Sequence, residues 1–287
     1  MKPTINFVSF VNLVVTAFAA LLISGCTTLV QVPDQSNAAS VTLIEAEAGY
    51  ARVLEQHVNE QGEVAFEALR DDRSNASGLP ALERYVRAIG RTSLDGFAST
   101  DARLAHMINA YNALSMYNVI ASGIPETHAG LAKVRFFVSR QFLIGGKPLS
   151  LYAFENDIIR KLDEPRIHFA LVCAAIGCPP LRGEAYTGAR LEAQLNEQAV
   201  KFLTQTPAKN RVDVANRTVY HSQVFTFSNY LEDFGGSKSS MGRFIARYYP
   251  AGAEKTLLES GEFKAVKTEY DWSLNSQANG RRLGILR

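Results

Sequence analysis

Cysteine is scarce, three in 287 residues, and its placement excludes more than its number does. Cys173 and Cys178 are five apart, which is not the CxxC of a redox motif, and no pair of His, Cys, Asp or Glu shows zinc-type spacing. Neither a metal nor an organic cofactor is therefore expected. Lys and Arg number 30 against 28 Asp and Glu, with no concentrated basic stripe, so nothing recommends a nucleic-acid partner. No segment repeats at a fixed period, which argues against solenoids and propellers. The longest apolar run, between Lys2 and Ser24, is interrupted by Ser9, Asn12 and Thr16 and is a marginal membrane span.

What stands at the start of the chain is a layout: Lys2, the apolar stretch Phe7 to Ile23, then Ser24-Gly25-Cys26. That is the order of a secretory signal, and it predicts removal of residues 1–25. Ile23-Ser24-Gly25-Cys26 resembles the bacterial lipobox, which implies that the Cys26 thiol receives diacylglycerol. Each buried methylene of such chains adds about 0.8 kcal/mol of membrane affinity, so several chains hold a protein firmly. Thr27, not Asp, follows the cysteine, and the same resemblance implies the outer membrane, facing the periplasm. Residues 26–40 are polar, with one proline and no helical or strand period, as expected of a tether. Residues 41–275 have globular composition and suit one domain, and 276–287 read as a short basic, solvated tail. The sequence does not set the oligomeric state.

Leu43, Ile44, Glu47, Tyr50, Val53, Leu54 and His57 recur at helical spacing over 42–58, and Leu82, Tyr85, Val86 and Ile89 mark a second amphipathic helix. Residues 102–121 are far more apolar, follow the capping run Ser99-Thr100-Asp101 and stop at Gly123, which predicts a buried central helix. Val134 to Val138 and Phe142 to Ile144 have strand composition, with Gly145-Gly146 as a hairpin turn. A helix is expected from Leu151 to Leu162. Arg166 to Val172 reads as a short strand buried on both faces, ended by Gly177-Cys178-Pro179-Pro180. Leu191 to Phe202 gives another helix, Val212 to Val214 and Thr218 to Tyr220 a hairpin, and Met241 to Tyr248 a last helix. This mixture predicts an α+β fold, a single domain with its central helix packed on a small mixed or antiparallel sheet, of papain-like or transglutaminase-like type.

Several side chains are in places that need explaining. Asn109 and Asn112 share one face of the apolar helix with Tyr111 nearby, and a buried amide without partners costs about 1–3 kcal/mol, so each must be hydrogen-bonded, the plain reading being to neighbouring loops. His168 lies inside the apolar run 166–172. If the chain reverses so that Cys178 meets it, the imidazole lowers the thiol pKa and makes a nucleophile. Glu155 sits by helical spacing between Leu151 and Ile158, near the apolar face, where it could orient His168. Tyr270-Asp271-Trp272 carries the one tryptophan, in a segment that either packs or lines a cleft. Against the nucleophile stands a disulfide between Cys173 and Cys178, the plain expectation in an oxidising compartment.

Ile108-Asn109-Ala110-Tyr111-Asn112, Pro165-Arg166-Ile167-His168, Gly177-Cys178-Pro179-Pro180, Tyr186, Asp233-Phe234 and Tyr270-Asp271-Trp272-Ser273-Leu274-Asn275 together resemble the domain of unknown function 547 family, over about residues 50–275. The resemblance implies a secreted or lipid-anchored bacterial protein and brings no settled activity. Two departures flank the site: His106-Met107 where the family usually has Phe-Trp, and Gly177 where it usually has Ser. Two functions follow. One is a cysteine hydrolase or acyltransferase acting on an amide of a peptide, a peptidoglycan stem or a γ-glutamyl compound, with Cys178 as nucleophile, His168 as base and Glu155 or Asn112 as orienter or oxyanion donor. Asn109, Tyr111, Cys173, Tyr186 and Trp272 would bind. The other is a non-catalytic, lipid-anchored binding module stapled by Cys173 and Cys178, worth about 2 kcal/mol for so short a loop.

Overall fold

A computed structural model describes residues 27–33 and 41–282. The signal segment, Cys26, residues 34–40 of the tether and 283–287 of the tail lie outside the described residues. Helix α1, Leu43–His57, opens with a capping box in which the Thr42 hydroxyl takes the Glu45 N–H and the Glu45 carboxylate takes the Thr42 N–H. α2, Phe66–Asp71, and α3, Leu79–Arg91, follow, the latter with a proline in its first turn. Helix α4, Thr100–Ala121, is capped by the Ser99 hydroxyl and is buried without interruption from Leu104 to Val119. The central helix expected from the sequence is this one. α1, α2 and α3 pack around it, so the core is mainly helix on helix.

Two small sheets of three strands complete an α+β domain. In the first, β1, Thr28–Leu29, runs parallel to β2, Arg140–Ile144, which pairs antiparallel with β3, Lys147–Ser150. Gly145 and Gly146 both have positive φ, 58° and 80°, as the tight hairpin turn requires. In the second, β4, Arg211–Asp213, and β5, Thr218–His221, form the expected hairpin, and β6, Lys264–Lys267, joins β5 in parallel. β6 has no alternating pattern that would single it out in the sequence.

Four expectations are corrected. Residues 134–138 are helical: α5, Leu131–Val134, continues into a π-turn over Arg135–Ser139, because this places Phe136 in the core against His128. Residues 166–172 are not a strand. Ile167–Ala170 is one helical turn, α7, closed by the Leu171 N–H on the Ile167 carbonyl, since a continuous apolar run fits a buried helical turn as well as a strand. The start of the tether is docked through β1 and buried Val30. The tail contributes a helical turn, Gln277–Arg282, that follows buried Ser276 and itself buries Asn279. Between them, Leu151–Leu162 is helical as expected but changes winding from α (α6, Leu151–Ala153) through π to 3-10. α8, Leu191–Thr204, and α9, Lys238–Ala246, lie where the sequence places helices, whereas α10, Ala253–Ser260, was not foreseen. Among the described residues no helix is long and apolar enough to cross a membrane.

Candidate functional site

A cavity of about 480 Å³ opens between α5, α6, the turn after α7 and the C-terminal segment. Its lining includes Tyr111, Glu155, His168, Cys173, Cys178, Tyr270 and Trp272. Residues far apart in sequence therefore line one cavity. The other walls are aliphatic and aromatic, among them Leu171, Val224, Phe227 and Phe137.

The turn that carries the cysteines is held from three sides. The Asn112 amide donates to the Ala170 carbonyl at 2.9 Å and its oxygen accepts from the Val172 N–H at 2.8 Å. The C-terminal segment runs alongside, with Ile176 N–H on Ser273 O, Gly177 N–H on Asp271 O and Asn275 N–H on Ala174 O. Lys209 donates to the Cys178 carbonyl at 2.5 Å, and burial pulls its ammonium pKa down to about 8. Asn112 is thus spent on backbone, and this corrects its expected role as oxyanion donor. Asn109 does the same for the next loop, bonding both backbone groups of Tyr186, whose own hydroxyl has no partner among the described residues.

Cys173 and Cys178 are bridged, with their Cα atoms 6.3 Å apart. In this form Cys178 has no thiol to activate, and of the two states the sequence leaves open the bridged one is present. Two donors reach its sulfur, the Cys173 N–H at 3.2 Å and the Tyr270 hydroxyl at 3.1 Å. Burial pushes the Tyr270 hydroxyl pKa well up, so it stays a donor at any ordinary pH.

Glu155 does not orient His168. It accepts the Tyr230 hydroxyl at 2.5 Å, and burial followed by this carboxylate raises the pKa of that phenol. The carboxylate on the imidazole is Asp233, whose Oδ2 lies 2.6 Å from His168 Nε2. Arg160 clamps Asp233 from the other side through two bonds of 2.7 Å. Burial would raise the Asp233 pKa, but the bonds and charges of His168 and Arg160 outweigh it and hold the carboxyl well below the usual range. An ionised Asp233 accepts only, so Nε2 carries the ring proton in the neutral imidazole and Nδ1 keeps a lone pair. That Nδ1 is buried with no partner among the described residues. Asp233 stood among the residues of the family resemblance, yet 65 positions from His168 nothing local in the sequence paired the two.

The arrangement offers an apolar chamber whose wall carries a cystine with an already hydrogen-bonded sulfur. At the mouth, the Lys133 ammonium stands 4.3 Å from the Trp272 ring centre and 5.5 Å from that of Phe227. No curated protein and no solved structure matches the chain. Residues 96–203 match the profile of a family described as Protein of unknown function, DUF547, a span that holds Asn109, Asn112, Glu155, His168 and both cysteines and stops short of Asp233 and Trp272.

Proposed function

We propose that the mature chain is a lipoprotein of the cell envelope, held by acyl groups on Cys26 in the outer membrane and facing the periplasm, and that its cavity binds a small, largely apolar ligand without transforming it. The observation that carries the reading is the Cys173–Cys178 bridge in the wall of the cavity. A bridged sulfur is not a nucleophile, and an oxidising compartment keeps it bridged. The lining sets the ligand's chemistry: an apolar body and an anionic or polar end near Lys133. Trp272 is the only tryptophan, so it is the one donor for energy transfer to anilinonaphthalene sulfonate, an apolar dye with one anionic group, and a cavity variant identifies the transfer that comes from this site. Saturable one-to-one transfer is expected, weakened at least about ten-fold, or 1.4 kcal/mol, by Val224→Phe, which fills the chamber. Absence of saturation overturns the binding reading.

One observation favours a second reading, a cysteine-dependent hydrolase or acyltransferase acting on an amide of a peptide, a peptidoglycan stem or a γ-glutamyl compound. The Cys173 N–H and the Tyr270 hydroxyl both point at Cys178 Sγ and would stabilise a thiolate once a dithiol had reduced the bridge. Titration of the reduced protein with a thiol reagent separates the two. After reduction with a dithiol, two thiols of ordinary reactivity support the binding module; one of them, at Cys178, reacting at mildly acid pH supports the enzyme.

A further inference from the structure

The mouth of the cavity is more apolar than a water-facing rim should be. Leu131, Val134 and Val138 are 88%, 51% and 42% exposed, and Tyr152 is 46% exposed. The first three fall at i, i+3 and i+7 of the helical stretch 131–139, so they share one face, and Val134, Val138 and Tyr152 also line the cavity. The apolar wall therefore continues outward onto the surface. Lys133 and Arg135 flank the stripe, both exposed, and between Glu126 and Glu155 the chain carries no carboxylate. An apolar stripe edged by cations is the chemistry of a segment that lies in an anionic membrane interface.

The position of the proposed anchor gives this face its orientation. Thr28, two residues after Cys26, pairs in register with Arg140, and Arg140 directly follows the 131–139 stretch. At about 3.5 Å per residue and about 4.8 Å between paired strands, the path from Cys26 through Thr28 and Arg140 to Val138 is no longer than about 20 Å. An acylated Cys26 thus brings the bilayer to the rim and not to the opposite side of the molecule. We infer that the face formed by Leu131, Val134, Val138 and Tyr152, with Lys133 and Arg135, docks on an anionic lipid surface beside the anchor and opens the cavity to the bilayer. This rests on the lipoprotein reading and deepens it: the ligand reaches the chamber from the membrane and is an amphiphile.

The test uses the mature chain in vesicles of phosphatidylglycerol and phosphatidylcholine, with and without bromine on the acyl chains. Trp272 lies under Lys133 in the mouth and reports contact with brominated chains by quenching. Quenching of at least about two-fold is expected, lost in Val134→Asp with Val138→Asp and retained in Ile44→Asp, a still more exposed apolar site on α1. A second pair, Lys133→Glu with Arg135→Glu, keeps the apolar stripe and is expected to lower the preference for phosphatidylglycerol at least about five-fold. Vesicle-bound chain whose Trp272 is unquenched, or equally quenched in the aspartate pair, overturns the surface. The mass of the N-terminal peptide reads the anchor separately. An acylated Cys26 with unquenched Trp272 leaves the anchor standing without the surface, and quenching with an unmodified Cys26 supports the surface without the anchor.

Discussion

At the scale of single residues, the molecule turns on Asp233. It satisfies two buried cations or would-be cations at once, the Arg160 guanidinium and the His168 ring, and no other carboxylate takes its place on either. Without the carboxylate charge Arg160 keeps only the neutral Asn156 and Asn229 oxygens as side-chain hydrogen-bond partners, and Asp233→Asn is expected to cost about 2 kcal/mol at neutral pH, less than for a fully buried pair because the carboxylate is about a quarter exposed. The pH dependence has a definite sign. The folded pKa lies below the unfolded value near 4, so the folded state binds fewer protons, and this stabilisation is present above about pH 4 and is lost as pH falls through the folded value. Urea unfolding between pH 2 and 7 should show a shallower acid limb in the variant, and identical limbs would remove Asp233 from this role. His168 itself could be picked out from the sequence, as a polar residue in an apolar run. Its partner could not, because a contact between residues 168 and 233 leaves no trace in either neighbourhood.

At the scale of elements, legibility followed periodicity. α4 was visible because a cap, a long apolar run and a glycine stop agree, and the β2–β3 hairpin because two glycines supply the positive φ that its turn needs. The segment 166–172 was misread because it has no period to read, and 134–138 because its β-branched and aromatic side chains serve a π-turn that buries Phe136. The cystine turn was half legible: two cysteines five apart suggest a bridge, but not that Tyr270 lies on it. Gly177 shows how tight that packing is, since a Cβ there would meet the Tyr270 ring at 2.7 Å. Gly177→Ala must therefore displace the ring from the sulfur, at about 1–3 kcal/mol for overpacking. Because Tyr270 packs at a tilt against Trp272 with centroids 4.5 Å apart, the displacement should change Trp272 emission as well as lower the melting temperature. A variant with unchanged emission and stability would mean that the turn yields instead of the ring.

At the scale of the whole molecule, the last strand-like segment ties together parts that the sequence keeps far apart. The Leu274 N–H bonds Glu126 O and Trp272 O accepts the His128 N–H after α4; Asn275 O accepts the Val64 N–H from the loop between α1 and α2, and Asp271 to Asn275 bond the cystine turn. Leu274 is buried at the centre of this junction. Truncating it leaves a cavity where three regions meet, so Leu274→Ala is expected to cost about 2–5 kcal/mol and, for a domain of this size, to lower the melting temperature by roughly 5–15 °C. The loss should not stay local. Amide exchange should quicken together at Val64, His128 and Ile176, whose N–H groups are all held by this segment or its neighbours, while the β2–β3 hairpin keeps its protection. If only the amides adjoining Leu274 respond, the segment is a local strap. If all three respond, it closes the fold, and the cavity walls drawn from Tyr270 and Trp272 depend on that closure for their positions.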